Sequence, residues 1–151
     1  MQNAMLVLSR DMSLAGLIAR TLRLRRVYCT ILPPRTSWEE IAALFVRGVI
    51  IASADETSDG LGEADPALLA SDLPLLALGG SVLSLCALYG GNFAPPEKQS
   101  SSVELTLAQE PLFEEIAGGE RMLHCYSALS PSEALEPIAR AGESVIGFKH
   151  R

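Results

Sequence analysis

The chain has 151 residues, 48% of them hydrophobic and 20% charged. That is one domain's length, long enough to bury a core without staples and too apolar for wholesale disorder. Its 12 Lys and Arg against 18 Asp and Glu leave a net charge of −6, which excludes nucleic-acid binding by bulk field.

Met5 to Leu8 is a short apolar run that predicts a buried strand. Leu14, Leu17, Ile18 and Leu22 then repeat at helical spacing, with Arg20 and Arg23 on the other side. Val27 to Leu32 reads as the next strand, stopped by Pro33 and Pro34. Ser37 followed by Glu40 is a capping box, and Trp38, Ile41, Ala42 and Phe45 give the helix behind it an apolar face. Gly48 to Ala52 is a β-branched run, again a buried strand, and a polar loop continues through Gly62. Asp65 before Pro66 marks a helix start. Pro74 to Leu78 predicts a fourth strand. Gly79, Gly80 and Ser81 turn it into a helix that runs to Tyr89 and stops at Gly90 and Gly91.

This alternation of apolar strands with helices predicts a parallel sheet covered on both faces. Ligands of such sheets sit at the carboxyl ends of the strands, here the loops Ser9–Ser13, Ser53–Gly60 and Gly79–Ser81. The second half changes character. Lys98 to Ser102 reads as a short polar loop, Val103 to Leu107 as a strand with one wet face, and Arg121 to Cys125 and Ser144 to Phe148 as further strands. Pro131 to Ala141 reads as a helix, or as two short turns broken by Pro137.

Three cysteines, Cys29, Cys86 and Cys125, show no CxxC pair and no metal-ligand spacing, which predicts reduced thiols and no metal. The sequence offers no secretory leader and no uninterrupted apolar span of membrane length, so the expectation is a soluble cytoplasmic protein without a membrane partner. Arg20, Arg23, Arg25 and Arg26 crowd together; a solvated helix end accounts for them, and a partner or phosphate patch is the alternative. Asp55, Glu56 and Asp59 read as an exposed acidic loop before a cation site. His124 and Cys125 are neighbours on a strand and so point to opposite faces, which disqualifies them as a nucleophile–base pair.

Several segments, in one order along the chain, resemble class I glutamine amidotransferases, in particular the amidotransferase domain of GMP synthetase. Leu17 to Arg20 with Val27 to Cys29 and Ile31 to Pro33 resembles that domain's first helix and second strand. Gly48 to Ile51 resembles the strand before its oxyanion loop, and Pro74 to Leu78 with the helix ending at Gly90 and Gly91 resembles its nucleophile elbow. Glu97 with Lys98, Pro111 to Phe113, and Met122 with His124 fall where the family has similar residues.

The resemblance implies a three-layer, flavodoxin-like α/β fold with a mainly parallel central sheet, and a single amidotransferase-like domain over residues 1–151. In that family a Cys at the elbow attacks glutamine, a His takes its proton and a Glu orients the His. Here the elbow falls on Gly79, the oxyanion loop on Ser53, Ala54 and Asp55, and the Gln after the elbow on Leu83. The last segment, Ser144 to Arg151, resembles the strand preceding the family's His-Pro-Glu, which the sequence lacks; His150 lies before that position. The expectation is a degenerate domain with no catalytic residues and no cofactor. Its ligand-binding candidates are Ser53, Ala54, Gly79, Gly80 and Ser81. By resemblance, its partner is an ATP pyrophosphatase (synthetase) component, and a homodimer burying an exposed sheet edge is a further expectation. The alternative is an incomplete amidotransferase subunit completed by other residues or another chain.

A lesser alternative comes from Met5 to Gly60, which also resembles a response-regulator receiver, with Asp55 near a strand end, Ser9-Arg10-Asp11 after the first strand and Lys149 near the last.

Overall fold

The computed structural model describes residues 4–54, 63–94, 97–116, 119–126 and 128–150. The chain separates into two compact units, Met1–Ser84 and Leu85–Arg151.

In the first unit, β1 (Ala4–Leu8), β2 (Tyr28–Leu32), β3 (Gly48–Ser53) and β4 (Leu75–Gly79) form a parallel sheet in the order β2-β1-β3-β4. The connections are α1 (Met12–Leu24), α2 (Trp38–Ala43) and α3 (Pro66–Leu69). The step from β1 to β2 runs one way along the sheet and the step from β2 to β3 runs back. Right-handed crossovers therefore place α1 and α2 on opposite faces, which makes the layered, flavodoxin-like α/β arrangement. Leu6, Val7, Leu8, Val49 and Ile51 are fully buried, as strands covered on both faces must be.

Side-chain caps fix where the helices begin. Asp11 accepts from the Ser13 and Leu14 N–H groups at 2.9 and 3.0 Å and starts α1. Ser37 and Glu40 form the reciprocal capping box of α2. Asp65 starts α3 by accepting from Ala67 N–H at 2.9 Å, and its other oxygen accepts from Trp38 N–H of α2 at 2.8 Å.

One expectation for α2 fails. The helix ends at Ala43, so Ala42 and Phe45 are exposed and only Ile41 of the predicted apolar face is fully buried. Phe45 takes a left-handed φ of 49° in the turn that aims the chain into β3.

Helix α4 (Ser81–Leu88) runs across the division between the units. It ends as predicted: Gly90 has φ 79°, its N–H donates to Ala87 C=O at 3.0 Å, and Gly91 N–H donates to Cys86 C=O at 2.9 Å. These are the two bonds of a Schellman motif. A side chain on Gly91 would stand 2.6 Å from Cys86 Sγ, which is why glycine is needed there.

The second unit holds a six-stranded sheet in the order β5-β8-β10-β9-β6-β7: β5 (Asn92–Phe93), β6 (Glu97–Leu107), β7 (Gly119–Tyr126), β8 (Leu129–Ser130), β9 (Leu135–Ala141) and β10 (Ser144–His150). Every pairing in it is antiparallel.

Two sequence expectations are corrected here. Residues 98–102 are not a loop but part of β6, drawn into the ladder by pairing with β7 around a bulge between Lys98 and Ser101. Residues 135–141 are a strand, not a helix: Pro137 lacks the N–H a helix interior requires, whereas β9 accommodates it beside a register shift against β10. Gly147 lies opposite Ala139, where a β carbon would stand 3.0 Å from the Ala139 methyl.

Candidate functional site

The sequence-predicted ligand residues come together at the carboxyl ends of β3 and β4. Ser53 pairs with Gly79 in the last register of the two strands, and Ala54, Gly80 and Ser81 follow directly. Gly79 has φ 66°, the left-handed conformation of a sharp strand-to-helix turn.

The space that a side chain at Gly79 would need is taken. A β carbon there would overlap the Ser53 carbonyl oxygen and sit 3.1 Å from its carbon. That carbonyl also accepts the Gly80 N–H at 3.3 Å. Behind it, the hydroxyls of Ser53 and Ser81 are 3.3 Å apart and both residues are buried. The elbow is thus closed by its own neighbouring strand, and the N–H following the elbow is engaged within the protein. Leu83, where the resembling family has Gln, is buried apolar packing.

None of Ser53, Ala54, Gly79, Gly80 and Ser81 titrates near neutral pH, so the site has no proton acceptor of its own. Among the described residues, charged groups follow the neighbouring strands β1 and β2. Arg10, after β1, donates Nε to Glu63 at 2.8 Å, and Arg35, after β2, stands 3.6 Å from the same carboxylate. Glu63 is 53 positions from Arg10, and nothing in the sequence signalled that pairing. Asp11 uses Oδ1 to cap α1.

The two thiols among the described residues are buried. Cys29 is buried on β2 and its Sγ donates to Ala19 C=O at 3.6 Å. Cys86 is buried on α4 with Sγ 3.6 Å from Asn92 C=O, and burial pushes its pKa up, away from thiolate character. His150 packs on the Tyr89 ring with centroids 4.4 Å apart. Lys149 bonds Glu110 at 2.5 Å and approaches Glu136 at 3.7 Å, on a strand of the antiparallel sheet. Asp55, Glu56 and Asp59 lie outside the described residues, as do the side chains of Lys98, Met122, His124 and Cys125. Among the described residues no group of His, Cys, Asp and Glu is placed to hold a metal ion, and no helix is long and apolar enough to cross a membrane.

No family model matches the chain. The chain is 27% identical over 137 residues to a GMP synthase (glutamine-hydrolyzing) of Ruminiclostridium cellulolyticum, covering 87% of this chain and 27% of that protein. It is 31% identical over 112 residues to the protein of the same name from Elusimicrobium minutum, covering 66% of this chain and 22% of the relative. The chain therefore spans about a quarter of the length of the curated relatives it matches. A solved structure from Thermoplasma acidophilum, described as one subunit of a GMP synthase, superimposes with a TM-score of 0.80. That match covers 100% of this chain and 79% of the other at 14% identity, a likeness of fold. In sequence and in fold, the chain is GMP synthase-like, with the α/β architecture that resemblance implies.

Proposed function

We propose that residues 1–151 form a single glutamine amidotransferase-like domain that does not hydrolyse glutamine and that works by binding a protein partner. The observation that carries this reading is the Ser53 carbonyl in the side-chain space of Gly79. Hydrolysis through a thioester needs a nucleophilic side chain at the elbow, a base within reach and N–H donors aimed at the developing oxyanion. Gly79 supplies no side chain, and the Gly80 N–H is turned to Ser53. The same closure favours partner binding over a small-ligand sensor built from Ser53, Ala54, Gly79, Gly80 and Ser81.

The partner we favour is an ATP pyrophosphatase (synthetase) component. The description of the similar solved structure as one subunit of a GMP synthase supports it. The buried, unpaired thiols Cys29 and Cys86 suit a reducing, cytoplasmic setting. The competing reading is an amidotransferase subunit completed by another chain. Added residues would supply a base but would not place a thiol at Gly79.

Two measurements test this. Ammonia release from glutamine should stay at the uncatalysed rate for the unmodified chain, and also for Gly79→Cys, because the new side chain meets the Ser53 carbonyl. Titration calorimetry with millimolar glutamine should give no heat of binding. Enzyme-dependent ammonia release overturns the non-catalytic reading, and saturable glutamine binding overturns the choice of partner over ligand.

A further inference from the structure

Two surfaces distant in the sequence are both apolar at their centres and opposite in charge. The first rims the amino-terminal end of the parallel sheet. Tyr28 pairs with Ala4 on one side, and Arg47 N–H donates to Ala4 C=O at 2.8 Å on the other. With strands about 4.8 Å apart, the turns entering β2 and β3 lie about 10 Å from each other.

Both turns are left-handed at non-glycine residues: Arg26 at φ 60° and Phe45 at φ 49°. Such a conformation at a bulky residue costs about 1–2 kcal/mol and persists only where the surrounding structure imposes it. The turns display large apolar side chains to solvent: Phe45 is 87% exposed, Leu24 75% and Tyr28 56%. Arg20, Arg23 and Arg26 are exposed around them. Aromatics set among arginines are the composition of interface hot spots.

The second surface is a hollow of about 730 Å³ formed by the end of β6 and the following single 3₁₀ turn, Pro111–Phe113. Leu105, Leu107, Phe113 and Ile116 make its apolar lining, and Glu104 and Glu114 give it negative charge.

We propose that the chain self-associates head to tail, with the Phe45 end of one copy seated in the Glu104–Ile116 hollow of the next. The projecting aromatic matches the apolar hollow, and the arginines match its carboxylates. Pairing either face with its own copy would instead oppose arginine to arginine or glutamate to glutamate. The proposal does not depend on whether the elbow is inert.

Analytical ultracentrifugation of the full chain tests it. At about 50 mM salt the mass should rise with concentration above that of the monomer. At about 500 mM salt the association should weaken at least about tenfold. Phe45→Ser should weaken it comparably. The double variants Arg23→Glu/Arg26→Glu and Glu104→Lys/Glu114→Lys should each be monomeric, since each spoils one face. Mixed together they should form a one-to-one heterodimer and stop there, because the first keeps an intact hollow and the second an intact Phe45 end. A monomeric unmodified chain at low salt overturns the proposal. So does a mixture that stays monomeric, or a dimer that survives in both double variants.

Discussion

The parallel sheet and the antiparallel sheet are held together by different means. In the first, β1 and β3 are buried along most of their length, and helices cover both faces. In the second, the described strand side chains outside β9 are mostly half-buried or exposed, and the sheet depends more on its ladder of antiparallel registers. A strand covered on two faces writes its position into the sequence as an unbroken apolar run. A strand with one wet face is specified by the partners it pairs with, which are distant in sequence.

The largest effects that sharpen this contrast come from truncating one core side chain in each sheet. Ile51→Ala, fully buried on β3, should cost about 4 kcal/mol. Leu135→Ala, 2% exposed at the start of β9 beside the half-buried Glu136 and Pro137, should cost about 2 kcal/mol, because a looser surround collapses around the cavity. Chemical denaturation followed by the fluorescence of the single tryptophan, Trp38, reads the parallel unit, and amide hydrogen exchange reads the antiparallel one. Equal costs at the two sites would break the comparison.

This contrast also explains what was legible. The four parallel strands and the caps at Ser37, Asp65 and Gly90 follow from local chemistry: an apolar run, or a side chain that bonds an N–H two or three residues on. The helical reading of residues 131–141 fails because Leu135, Ile138 and Ala141 sit at a spacing that a helix also allows, while Pro137 and the pairing with β6 and β10 decide against it. The polar run in β6 is strand for the same reason. At the candidate site, the sequence shows that the elbow falls on glycine. It does not show that the Ser53 carbonyl fills the space, because a backbone atom's position depends on the register between β3 and β4. The exposure of Phe45 turns on where α2 stops, a matter of one turn of helix.

A middle-sized effect tests the left-handed turns. Phe45→Gly removes the penalty of a β carbon at φ 49° and should stabilise the parallel unit by about 1 kcal/mol, since Phe45 forfeits little burial. Tryptophan fluorescence in urea gives the value. A loss of stability would mean that the Phe45 ring packs on the fold. The same variant should reduce self-association, so stability and assembly would move in opposite directions, as expected of a residue kept for contact and not for folding.

The smallest effects concern pH, and they separate the two units. Two backbone N–H groups, Trp38 first and Ala67 next, hold the Asp65 carboxyl below the ordinary aspartate value of about 3.9. A lowered carboxyl pKa means that the unfolded chain takes up the proton first on acidification. The contribution of Asp65 is therefore present above about pH 3.9 and is lost as pH falls through its folded value. Lys149 has the opposite sign. The hydrogen bond to Glu110, with further help from Glu136, raises its pKa above the ordinary lysine value of about 10.4. Its contribution is present below about pH 10.4 and is lost as pH rises through the folded value. Asp65→Asn should therefore flatten the acid limb of a stability profile read at Trp38 and leave the alkaline limb unchanged. Lys149→Met should do the reverse in hydrogen exchange of β9 and β10. Both groups are only half-buried, so both changes are small and should shrink in high salt. If either substitution moved both limbs equally, the two sheets would be unfolding as one cooperative unit, and the difference in how they are held would have no thermodynamic expression.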